Sequence, residues 1–107
     1  MNLSDLFKQA KEMQARAAEM QKVVESIEVE GQSGAGMVRL TLSGKSDLKR
    51  LDVDPSLLKP EDKTMLEDLI RAAHADAKVK LESRLADEMQ KMSREMGLPG
   101  GLSGMFS

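Results

Sequence analysis

Seven basic residues are spaced so that helical structure would gather them into rows: Lys8, Lys11 and Arg16 early in the chain, and Lys80, Arg84, Lys91 and Arg94 late in it. Ammonium and guanidinium groups in such rows can neutralise the phosphates of a duplex without reading its bases. On a helical wheel Lys80, Arg84, Lys91 and Arg94 fall within about one quadrant, with Asp87 in their midst, and span roughly 21 Å of helix axis. Residues 71–94 hold six bases and four acids, so this stretch is locally positive although the chain carries a net charge of −2. The competing reading is a solvated charged face. Asp5 with Lys8, Glu12 with Arg16, and Glu19 with Lys22 have the spacing of helical ion pairs, each contributing only a few tenths of a kcal/mol.

Catalytic chemistry finds no comparable gathering. His74 is the only His, at the edge of an apolar stripe, and a partly buried structural role is expected for it. Asp52 and Asp54 point to the same side of a strand, but no His, third carboxylate or nucleotide loop accompanies them to make a metal or acid/base site. The run from Gly31 to Gly36 lacks the Lys followed by Ser or Thr that closes a phosphate loop, and reads as turn chemistry. The chain holds no Cys, which excludes disulfides, thiolate metal sites and a thiol nucleophile. Trp and Tyr are absent, which argues against gripping single strands by stacking bases on aromatic rings. No enzyme, metal, cofactor or small-molecule substrate is expected.

The elements that must position the cations are legible in the apolar pattern. Leu3, Leu6, Ala10, Met13, Ala17, Met20, Val24 and Ile27 alternate steps of three and four, a strict heptad seam that predicts a helix packed lengthwise against another, ending near Val24 or Glu25. Ala10 and Ala17 would let such helices approach closely. Ile27 to Glu30 changes to the alternation of a half-buried strand, and Gly31 to Gly36 reads as a flexible turn. Met37 to Ser43 puts Val38, Leu40 and Leu42 on one face, and a turn at Ser43 to Ser46 leads to a third strand with Leu51 and Val53 inward. Leu48 is out of phase with these, so either the strand starts after it or a bulge intervenes. The outward charges Glu28, Glu30, Asp52, Arg39, Lys49 and Arg50 nearly balance, which suits cross-strand pairing.

Asp54 and Pro55 predict a capped short turn, and Pro60 with Glu61 and Asp62 the start of a second long helix, which runs to about Met96, where Gly97 and Pro99 stop it. Its stripe, Leu66, Ile70, Ala73, Ala77, Leu81, Leu85, Met89, Met92 and Met96, drifts around the helix, so its two halves face different neighbours. A helix of that length reaches roughly 55 Å, whereas an eight-residue strand spans about 26 Å. A small sheet cannot cover both rods, and a second copy of the chain is expected on the uncovered stripes. With 107 residues the chain makes one domain over residues 1–96, followed by a flexible tail over residues 97–107. No apolar run suits a membrane span, and the cytoplasm is the expected location.

The run GQSGAGMVRLTLSGKSDLKRLDVDPSLL followed by MLEDLIRAAHADA, together with the earlier KQAKEMQ, closely resembles the YbaB/EbfC family of small bacterial nucleoid-associated proteins. The resemblance implies an α+β homodimer of α-β-β-β-α chains with a tweezer-like outline, binding double-stranded DNA in the nucleoid. The family's DNA contacts lie on the N-terminal and C-terminal helices without a motif that marks them, so the seven cations above are taken from the helical ridges. The rival expectation is a chaperone-like or structural helix-hairpin-helix protein that grasps apolar surfaces with its Met-rich helix ends, among them Met89, Met92, Met96 and Met105.

Overall fold

The structure is a computed structural model, described here over residues 2–95. Helix α1 (Leu3–Ser26) begins where the side chain of Asn2 accepts the Asp5 amide at 2.9 Å, satisfying one of the donors that a first helical turn leaves free. Strands β1 (Glu28–Ser33), β2 (Val38–Ser43) and β3 (Leu48–Val53) form one antiparallel sheet in the order β1-β2-β3. Helix α2 (Lys63–Glu95) follows. The α-β-β-β-α order is the expected one.

β1 is longer than its alternation predicts. Gly31 and Gln32 sit in the ladder opposite Leu40 and Arg39, and the turn shrinks to Gly34–Gly36. The reason lies on the other side of the strand: a Cβ on Gly31 would overlap the Ala73 carbonyl and the Ala77 backbone of α2. Gly31 is therefore required by close packing of helix on strand. The turn itself is left-handed, with φ of 58° at Gly34, 55° at Ala35 and 89° at Gly36.

Leu48 joins Leu51 and Val53 on one face because the ladder slips between Thr41, opposite Arg50, and Leu42, opposite Leu48, leaving Lys49 as the extra residue of a bulge. That face meets α2. Val38, Leu40 and Leu42 are buried beneath Ala73 and Ala77, with Leu57 completing the centre and Val29, Leu66, Leu69 and Ile70 around it. α2 packs chiefly on β1 and β2 and far less on β3. Leu51, expected to be buried, is consequently 42% exposed, and Leu48 55%.

Polar contacts fix the direction of α2. Ser33 donates its hydroxyl to the Leu69 carbonyl at 2.5 Å, the Gln32 amide donates to Asp76 at 3.0 Å, and the Lys80 ammonium donates to the Glu30 carbonyl at 3.2 Å. As residue numbers fall along β1 they rise along α2, so the helix runs antiparallel to the strand and continues past its start toward α1. Before it, Asp54 caps a turn at Pro55–Leu57 by accepting the Ser56 amide at 2.8 Å, and Pro60–Asp62 forms a 3-10 turn that delays α2 to Lys63.

Other expectations are corrected. His74 is exposed on α2, because the stripe at that level is Ala73 and Ala77, one residue before it and three after. Among the described residues the ion pairs are Lys45 with Glu25, Arg71 with Asp68, Lys80 with Asp76, and Arg84 with Glu88. None joins two strands, and none lies within α1. Arg39, directly opposite Asp52, instead donates to the Gly36 carbonyl at 3.3 Å. The helix stop at Gly97 and Pro99 and the tail over residues 97–107 lie outside the described residues.

Candidate nucleic-acid interface

The chain is long and thin, 71 × 26 × 16 Å, because both helices outrun the sheet. Where α2 passes the start of β1, residues Glu88, Lys91, Met92 and Glu95 come beside Glu19, Met20, Lys22 and Val23 of α1 across a cleft of about 430 Å³. Arg16, Met20 and Val24 are the half-buried positions of α1, spaced four apart on one stripe. Toward its N-terminus α1 stands uncovered.

These elements distribute the seven cations unequally. Lys8 and Lys11 are exposed on α1, outside its apolar seam, and have no ion-pair partner among the described residues. Arg16 belongs to the half-buried stripe and stands apart from them. Lys80 is held: its ammonium lies 3.0 Å from Asp76 and bonds the Glu30 carbonyl, so it fastens α2 to β1. Arg84 pairs with Glu88 at 3.4 Å, a carboxylate side chain that is only 14% exposed. Lys91 stands on the cleft wall, and Arg94 is exposed in the last described turn of α2.

The cleft itself is a poor receptor for a polyanion. Glu19, Glu88 and Glu95 outnumber Lys22 and Lys91 along its walls. Lys8, Lys11 and Arg94 are exposed and line none of it.

Sequence reasoning overlooked Asp76. Its carboxylate accepts the Gln32 backbone amide and the Lys80 ammonium, and these bonds, the amide first, hold its pKa below the ordinary aspartate range. The step of four to Lys80 was visible, but the strand amide was not. Asp54 is likewise pulled down by the Ser56 amide, so it is a charged turn cap and no acid/base partner for Asp52. Among the described residues no cluster of three or more His, Asp or Glu could hold a metal, and no helix is long and apolar enough to cross a membrane.

Residues 1–96, the span that contains both cation-bearing helices and the sheet between them, match the YbaB/EbfC DNA-binding family. The chain belongs to this family. A nucleoid-associated protein of Granulibacter bethesdensis is 54% identical to it, with 98% of each chain covered. Another, from Paramagnetospirillum magneticum, is 52% identical over 98% of each chain. Among solved structures, an uncharacterized protein from Helicobacter pylori has the same fold, with a TM-score of 0.71 at 25% identity, covering 86% of this chain and 97% of that one. All the elements of the described YbaB/EbfC chain, from α1 to α2, lie within the matched residues 1–96.

Proposed function

We propose that this YbaB/EbfC protein binds double-stranded DNA as a nucleoid-associated homodimer, through backbone phosphates, and so affects nucleoid organisation and gene expression. The observation that carries the reading is the family match over residues 1–96, which takes in the whole cation-bearing scaffold. Lys8, Lys11, Arg16, Lys80, Arg84, Lys91 and Arg94 are the proposed contacts. Contacts made to phosphates carry no sequence information, so discrimination between sequences is expected to be weak.

Affinity for a duplex, measured between about 50 and 200 mM salt, tests this. A linear fall of log affinity with log salt is expected. Replacing Lys8 and Lys11 with Ala removes four cations from the homodimer and should lower the slope by about 3.6, since each neutralised phosphate contributes about 0.9. Absence of duplex binding at low salt would defeat the reading. The chaperone-like alternative draws on the exposed Phe7, Met13 and Met89, and would be favoured by suppression of a client's aggregation that survives charge reversal at Arg84 and Lys91.

A further inference from the structure

The cleft between α1 and α2 lies where the described chain stops. Met20 and Val23 of α1 and Met92 of α2 give it an apolar floor, Val23 being 37% exposed, and Glu19, Glu88 and Glu95 stand around them. Its volume of about 430 Å³ falls within the roughly 300–1,000 Å³ of sites that enclose a small ligand or a few side chains. α1 is fastened at its C-terminal end, by the Lys45 pair with Glu25 and by the Gly44 amide donating to the Ile27 carbonyl, and none of its own residues is buried. Away from that end it faces α2 across the cleft.

The chemistry of the walls restricts the occupant. Three carboxylates against Lys22 and Lys91 disfavour an acidic segment. An apolar floor favours an uncharged segment with a few large side chains, because a charge laid on it loses water without gaining a partner. Such a segment begins at the rim. Residues 96–107, MGLPGGLSGMFS, follow directly on Glu95 and contain no Asp, Glu, Lys, Arg or His, while Leu98, Leu102, Met105 and Phe106 supply apolar bulk.

The reach is sufficient. From Glu95 back to Glu88 α2 covers roughly 10 Å, and an extended stretch from Leu98 to Leu102 covers about 13 Å. Gly97 can take the left-handed conformation with which a chain reverses after a helix. A segment tethered at the rim meets the cleft at an effective concentration on the order of millimolar, so weak contacts suffice to hold it.

We propose that residues 96–107 fold back into the cleft between α1 and α2 of their own chain, Leu98 and Leu102 seating against Met20, Val23 and Met92. The segment then straps one cation-bearing helix to the other and fixes the angle between them.

The chain has no Cys, so introduced thiols report cleanly. In the full chain, Val23→Cys with Leu102→Cys, mildly oxidised without DNA, should close an intrachain disulfide about tenfold or more faster than Glu12→Cys with Leu102→Cys. Glu12 is exposed on the same helix and lines no part of the cleft. Val23 and Glu12 lie outside the core, so circular dichroism should be unchanged. Adding Leu98→Asp, which brings a fourth carboxylate to the cleft, should slow the first pair to the control rate. Equal rates for the two pairs would overturn the proposal, as would a Leu98→Asp variant that links as fast as its parent. A faster link between chains, seen when the single variants Val23→Cys and Leu102→Cys are mixed, would give the cleft to the segment of a second copy and overturn it too. Because no duplex is present, none of these outcomes turns on DNA binding.

Discussion

Two residues decide how α2 seats on the sheet, and each makes a different prediction. Gly31 is in the ladder, where any side chain would drive into the Ala73 carbonyl and the Ala77 backbone. Gly31→Ala must push helix from strand, and overpacking of this kind costs about 1–3 kcal/mol or more, read as a lower midpoint in urea unfolding. An unchanged midpoint would show that α2 does not lie where it is placed. Asp76 acts by charge, accepting the Gln32 amide and the Lys80 ammonium. Its folded pKa is lowered, so the stability it contributes is fully present above the ordinary aspartate value and lost as pH falls through the lower, folded one. Asp76→Asn should therefore be less stable than the native chain at neutral pH, with the difference closing in acid below the usual carboxylate range. Parallel stability curves over that range would exclude the assigned bonds.

At the level of elements, the cations on α2 separate into those held by polar contacts and those that enter none among the described residues. Lys80 ties the helix to β1 through Glu30 and Asp76, while Lys91 and Arg94 enter no ion pair among the described residues. Lys80→Met should lower stability by about 1 kcal/mol or less, the scale of a partly exposed pair, and weaken duplex binding as well. Lys91→Ala should weaken binding and leave unfolding unchanged; equal losses of stability in both variants would contradict the division. The sequence could not announce this, because Lys80 and Lys91 occupy the same wheel quadrant and only the strand beneath Lys80 distinguishes them. What was legible followed from period: the two helices, the inward Val38, Leu40 and Leu42, the cap at Asp54, and the choice of a bulge or a late start at Leu48. What was not legible depended on neighbours distant in sequence. Gly31 looks like a turn residue until Ala73 is set against it, and Leu51 looks like core until α2 is found to pack chiefly on β1 and β2.

For the molecule as a whole, a radius of gyration of 20.1 Å is far above the roughly 13 Å of a compact domain of this length. The excess comes from helices that leave the sheet behind, and the sheet is unfinished on one side. β3 is an edge strand whose Leu48 and Leu51 are 55% and 42% exposed, and Leu58 and Met65, in the segment that follows it, are 65% and 45% exposed. A free edge flanked by Leu side chains on the core face is an aggregation hazard unless something pairs with it or covers it. A second copy, as in the proposed homodimer, would cover it. Leu51→Lys with Leu58→Lys leaves the buried residues under α2 untouched. In sedimentation the native chain is expected to run as two copies or more and this variant to lose that association, with a duplex-binding salt slope cut to about half as one set of phosphate contacts is removed. If the variant sediments as the native chain does, the β3 flank is not where the copies meet. If it dissociates while its salt slope is unchanged, one chain supplies the whole grip and pairing serves some other end.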